Sequence, residues 1–288
     1  MPNLLKKRKK VPLVLVSVMI HTNCFWSECV QAGEFGSSVV SSFNLFKMST
    51  RFIGLVCLLF SIGMPLNAQQ TPNYNDSILL LKPGLAKQIK KHVLYNTDTN
   101  QLYVGDGEQT KLYYQALVPK GPVKGSVVLL PGTWESTGHV WNSMARFCEM
   151  AQAKHLAVLV FSINQRLTLT NEVVDLMNAF CEDACKTYSL PRSQFVFGGF
   201  SMGGIFSMRY TELSVQDSGK ALFKPRAVFS CDGPCDLKHL YENFQRKKHK
   251  NPGLNEPAYG IAELETYCKG SPSLNPEAYR YYSPFSYD

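Results

Sequence analysis

A chain of 288 residues, 45% of them apolar, is long enough for one large or two small domains with a sizeable core. Its formal net charge of +8 is uneven: residues 1–68 hold seven Lys/Arg and two Asp/Glu, which leaves 23 against 20 in the rest. The remainder is close to neutral and carries no electrostatic footprint for a nucleic-acid partner, so that class is set aside. The local run Arg246-Lys247-Lys248-His249-Lys250 is expected to be a solvated helix end.

Two hydrophobic stretches stand in tandem at the N-terminus, residues 11–20 behind a Lys/Arg run at 6–10 and residues 52–64 behind Arg51. The second, with Met48 ahead of it and Asn67-Ala68 after it, has the basic, apolar and small-residue parts of a secretory signal. The expected division is therefore an upstream extension at 1–47, a signal peptide at 48–68 and a folded domain at 69–288, giving an exported protein. The alternative is that the first stretch is itself a signal or anchor. Neither reaches the roughly 18 apolar residues of a spanning helix, so no stable transmembrane anchor is expected.

Residues 69–90 are polar and read as a loose entry. Residues 92–95, 102–104 and 111–118 read as antiparallel strands. Residues 125–130 form a continuous apolar run, as in a strand buried on both faces. A helix is expected at 140–153, a buried strand at 156–161 and a helix at 171–188 stopped by Pro191. Further buried strands are expected at 195–200 and 227–230, with a helix at 237–245. This alternation specifies a doubly wound, mostly parallel α/β sheet. Residues 251–280 are rich in Pro, Gly and aromatics, and read equally as a cap over an active site or as a plain surface insertion.

Six cysteines fall in the folded domain: Cys148, Cys181, Cys185, Cys231, Cys235 and Cys268. Cys181 and Cys185 share an apolar helix face and read as small buried hydrophobes. No C-x-x-C or zinc-ligand spacing occurs, so neither metal nor cofactor is expected. In an exported protein a Cys231–Cys235 disulfide remains open.

The most informative stretch is Gly199-Phe200-Ser201-Met202-Gly203, a G-x-S-x-G pentapeptide with a strand-like run before it and a helix-like run after it. A sharp turn between strand and helix strains its central residue and needs small neighbours, which the two glycines provide. The chemical reading is a nucleophilic Ser201; the bland reading is a Gly-rich strand-to-helix turn.

Together with Pro131-Gly132 after a buried strand and Asp232-Gly233-Pro234 after the strand that follows the elbow, this pattern resembles the α/β-hydrolase superfamily, most closely its bacterial secreted esterase-like members. The resemblance covers about residues 110–288. It implies Ser201 as the nucleophile of an acyl-enzyme mechanism on a small acyl substrate, with the Met202 N–H as one oxyanion donor. The second donor would come from Gly132, Thr133 or Trp134, with Thr133 preferred; Pro131-Gly132 stands where many members have His-Gly. Trp134 either lines an acyl pocket or caps the loop. Asp232 is the candidate acid. The superfamily order of Ser, acid, then His leaves the base unassigned, and the ending at Asp288 suggests a domain lacking its last strands. His239, near Asp236, and His139 are weaker candidates for the base. A serine peptidase, an acyltransferase or a non-catalytic binding domain remain alternatives to an esterase.

Overall fold

The computed structural model describes residues 15–18, 78–96, 102–105 and 111–285. The signal-like segment 48–68 lies outside the described residues, as do the turn signals at 98–100 and at 106–107. All described residues except Val18 belong to one compact unit.

A seven-stranded sheet runs in the order β1-β7-β6-β4-β5-β3-β2. Its strands are β1 (Leu15–Val18), β2 (Lys90–Asn96), β3 (Lys111–Leu117), β4 (Gly125–Leu130), β5 (Leu156–Phe161), β6 (Phe195–Phe200) and β7 (Ala227–Cys231). The β4 strand pairs in parallel with β5 and β6, and β6 pairs in parallel with β7. The remaining pairs, β2 with β3 and β3 with β5, are antiparallel. The strand β1 falls inside the first hydrophobic stretch of the chain.

Burial on both faces explains the unbroken apolar strands. All six residues of β4 are buried. Val128, Leu130, Leu159, Phe161, Phe195 and Phe197 belong to the main core together with helices α4 (Asn171–Tyr188) and α5 (Met202–Gln216). The alternate residues Val127, Leu129, Val158 and Val160 are equally buried on the other face, where α2 (Thr137–Ser143) and α3 (Ala145–Ala153) lie; Phe147 of α3 meets Phe229 of β7.

The α4 helix has the expected amphipathic stripe, capped by Thr170, whose hydroxyl accepts the Val173 N–H. Cys181 is fully buried and Cys185 partly so, in line with their reading as small hydrophobes. The α5 helix is buried almost all round, and its hydroxyls are satisfied locally: Ser207 donates to the Gly203 carbonyl and Thr211 to that of Ser207.

Two expectations need correction, and one open possibility is answered. Residues 102–105 form no strand; the Leu102 carbonyl accepts the N–H groups of Asn164 and Gln165, so its hydrogen bonds go to the loop after β5. The single helix expected at 140–153 is broken at Met144 (φ −104°, ψ 14°), which separates α2 from α3. Cys231 and Cys235 are both free thiols, not a disulfide. Residues 78–89 are also less loose than expected: they contain a short α1 (Pro83–Ala86), and the N–H groups of Leu79 and Leu80 bond to Asn142 Oδ1.

Beyond β7, α6 (Leu237–Lys250) runs past its expected end, and its terminal Arg246-Lys247-Lys248-His249-Lys250 is exposed throughout. It is followed by α7 (Asn255–Cys268) and α8 (Pro276–Tyr282), which build the 251–280 segment. The Tyr259 ring of α7 meets that of Trp134 at 4.9 Å, tilted by 53°, and its hydroxyl donates to the Gln165 carbonyl. The segment is therefore packed over the loops that leave β4 and β5.

Candidate active site

Ser201 stands between β6 and α5 with φ 47° and ψ −117°. A non-glycine residue there carries about 1–3 kcal/mol of backbone strain, which persists only when the surroundings enforce it. They do so here. The Ser201 N–H donates to the Cys231 carbonyl at 2.9 Å, and its own carbonyl accepts from Gly204 and Ile205. A Cβ at Gly203 would lie 2.1 Å from the Leu130 carbonyl oxygen, and one at Gly199 2.3 Å from the same atom. The helix can start this close to β4 only because both positions lack a side chain. Ser201 itself is exposed.

The Met202 amide adjoins it in the chain, and the Thr133 amide lies in the turn that ends the neighbouring strand β4. Met202 N–H opens α5, where helix geometry leaves it no acceptor of its own. Thr133 N–H lies in the turn after β4, which runs beside β6 with Leu130 opposite Gly199. Neither amide has a hydrogen-bond partner among the described residues. The other amides of that turn are all engaged: Gly132 with the Glu135 carboxylate, Trp134 with the Asn164 carbonyl and Glu135 with the Gly132 carbonyl. The Trp134 N–H is thus already engaged, and its ring meets Tyr259.

Asp232 follows β7 directly, in a left-handed conformation (φ 55°), and Gly233 packs onto the Ser201 carbonyl. One side of Asp232 is open to solvent. The protein around its other sides desolvates the carboxyl and pushes it above the usual range, against the opposing pull of Lys247. The neighbouring Cys231 thiol is pushed up to about 11 by burial, so it stays protonated and inert at neutral pH.

The structure thus brings Ser201, Met202, Thr133 and Asp232 to the carboxyl ends of three adjacent strands, where open α/β sheets hold their ligands. Among the described residues, the two histidines considered as bases each face a carboxylate of their own segment. His239 Nδ1 lies 3.2 Å from Asp236 Oδ2, as their spacing predicts, but Asp236 is the N-cap of α6, taking the N–H groups of Lys238 and His239. The small cavity beside that cap is lined by residues of α6, α8 and their flanking segments, none from the elbow. His139 faces Glu135 at 3.6 Å, and its N–H is capped by Ser136. Among the described residues, no side chain is hydrogen-bonded to the Ser201 hydroxyl.

No family model and no curated protein matches the sequence. Similar solved structures include FphF, a fluorophosphonate-binding serine hydrolase of Staphylococcus aureus, at 14% identity over 62% of this chain and 73% of that one, with a TM-score of 0.41. A lipase/esterase from Lactobacillus plantarum is 12% identical over 68% of this chain and 73% of its own, at 0.42. An inhibited esterase B from Lactobacillus rhamnosis is 10% identical over 68% and 62%, at 0.43. No residue role follows from likeness this distant. The strand order and the strand–turn–helix geometry at Ser201 decide the architecture: a doubly wound, mostly parallel α/β sheet with Ser201 at the turn from β6 to α5.

Sequence reasoning missed the groups that hold the candidate site together. Asn164 and Glu135 buttress the turn after β4, and only the folded chain shows it. A second group is the docking of α7. Glu263 lies between Tyr259 and Tyr267 on one face of α7, with its Oε1 4.0 Å from Arg166 Nε. Arg166, nearly buried, also stacks on Tyr267 and approaches Glu172. Burial pushes the Glu263 carboxyl up, opposed by Arg166 and by the Leu167 N–H.

A carboxyl raised in the folded state stabilises the fold below its unfolded pKa, and that contribution is lost as pH rises through the folded one. Relative to Glu263→Gln, the wild-type chain should therefore lose melting temperature as pH is raised from about 4 to about 7. Paired thermal melts across that range check this. A wild-type-to-variant difference that does not change with pH would contradict it.

Proposed function

We infer that the protein is a serine hydrolase that cleaves carboxylic esters of a small acyl substrate through an acyl-enzyme on Ser201. The observation that carries this reading is the strained, exposed backbone position of Ser201 between β6 and α5. Strain of this kind concentrates at functional residues, and a purely structural turn would be served at lower cost by glycine. The Ser201 oxygen attacks the acyl carbon as its proton passes to a base, and the carbonyl π electrons move onto the carbonyl oxygen. The resulting oxyanion is taken by the Met202 and Thr133 N–H groups, each such donor contributing about 3 kcal/mol. Collapse breaks the bond to the alkoxy group, which takes that proton and leaves as the alcohol; water then cleaves the acyl-enzyme, releasing the acid and returning a proton to the Ser201 oxygen. Asp232 is the acid that would orient a base, and no base is assigned.

A second reading, a non-catalytic binding domain, is favoured by the absence of any side chain bonded to the Ser201 hydroxyl among the described residues. Treating the 288-residue chain with a fluorophosphonate and mapping the adduct by mass spectrometry separates the two. The esterase reading expects a single adduct on the peptide carrying Ser201. An unmodified chain favours the binding domain.

Export belongs to the same proposal. Arg51, the apolar stretch at 52–64 and Asn67-Ala68 support cleavage after Ala68, so that the mature protein begins at Gln69. N-terminal sequencing of the exported product checks this, and a mature terminus upstream of Met48 would contradict it.

A further inference from the structure

The turn that links β4 to α2 is held from two sides. On one side, Glu135 Oε2 accepts the Gly132 N–H at 2.7 Å, and the Glu135 N–H returns to the Gly132 carbonyl at 3.1 Å. On the other side stands Asn164, fully buried after β5. Its carbonyl accepts the Trp134 N–H at 3.0 Å. Its Nδ2 donates to the Glu135 carbonyl at 2.7 Å and to the Val104 carbonyl at 2.8 Å. Its Oδ1 accepts the Val104 N–H at 2.9 Å and Gln165 Nε2 at 3.0 Å. Between these anchors Trp134 is locked in a left-handed conformation, φ 62°. The Thr133 N–H is left as the one amide of residues 132–135 without a partner among the described residues.

We propose that Asn164 and Glu135 are positioning residues for the chemistry of Ser201: together they fix the turn so that the Thr133 N–H is held in place for the oxyanion. This rests on the reading of Ser201 as the nucleophile. The physical reason is that a donor stabilises developing charge only when it is already in place and need not reorganise. A turn containing a left-handed tryptophan would relax without its two clamps. Glu135 sits at the surface end of the clamp and Asn164 at the buried end. The carboxylate serves as a hydrogen-bond acceptor, so its charge is dispensable and its oxygen is not.

The experiment follows single-turnover phosphonylation of Ser201 by a fluorophosphonate in the full chain, resolved into the limiting rate and the half-saturating reagent concentration. Glu135→Ala removes the Gly132 bond from a half-buried side chain; Glu135→Gln keeps an acceptor oxygen there. Asn164→Asp keeps the acceptor for Val104 but loses both donated bonds. The limiting rate should fall about 10- to 100-fold in Glu135→Ala and in Asn164→Asp, a share of the 10²–10³ that one oxyanion donor supplies. The half-saturating concentration should stay unchanged, and Glu135→Gln should restore the rate. Should Asn164→Asp not fold, as judged by circular dichroism, the Glu135 pair decides the matter. A wild-type rate in Glu135→Ala, an effect confined to half-saturation, or a glutamine variant as slow as the alanine one overturns the proposal while leaving the nucleophile intact. A wild-type chain that is not labelled overturns the nucleophile reading and this inference with it.

Discussion

Replacing Ser201 by alanine should abolish fluorophosphonate labelling and lower ester hydrolysis by at least about 10³-fold, since no acyl-enzyme can form without the hydroxyl and only oxyanion and binding effects remain. The substitution is well suited to a clean reading. Alanine at φ 47° is strained as serine is, the removed oxygen has no partner among the described residues, and the site is exposed. The fold should therefore persist, with a melting temperature close to that of the wild type. Ser207, six residues further along α5 and bonded to the Gly203 carbonyl, provides the control. Ser207→Ala should keep its label. Labelling of Ser201→Ala at the wild-type rate would show that another residue is the nucleophile.

Gly203→Ala should be the most damaging single-carbon change in the elbow. The added Cβ would stand 2.1 Å from the Leu130 oxygen, 2.7 Å from its carbonyl carbon and 2.8 Å from the Pro131 oxygen. All three are backbone atoms of β4 and the turn that follows, so no side chain can swing away. Either α5 lifts from the sheet or the turn bearing Thr133 moves. Overpacking of this kind costs about 3 kcal/mol, a fall of roughly 6–12 °C in melting temperature for a domain of this size. Labelling of the folded fraction should fall as well, because the clash displaces the oxyanion turn itself. Gly198→Ala makes the contrast. Its Cβ would meet the Phe229 ring at 2.1 Å, and that ring is only half-buried and can turn aside, so a smaller loss is expected. Urea or thermal melts of the two variants test the ranking; a Gly203→Ala chain that melts with the wild type would refute it.

Much of the architecture could be read without coordinates, because it rests on local rules. Runs such as 125–130 and 156–161 are apolar at every position, and only strands covered on both faces need that. The stripe of α4 and its Thr170 cap follow from helix periodicity and from the unpaired amides of a helix start. The elbow was legible because a strained turn demands glycine on both sides of Ser201, a steric requirement written in five consecutive residues. The Asp236–His239 contact followed from i, i+3 spacing, although its role as a helix cap did not. What only the tertiary structure decided depends on groups far apart in the chain meeting. The partnering of residues 102–105 with the loop after β5, the break between α2 and α3 at Met144, and the packing of α7 on Trp134 and Arg166 are of this kind. So is the clamp on the Thr133 turn, in which Asn164 holds Val104, Trp134 and Glu135 across separations of up to 60 residues. A buried amide such as that of Asn164 must find partners, but its sequence neighbours do not say which; closure of the sheet brings them together.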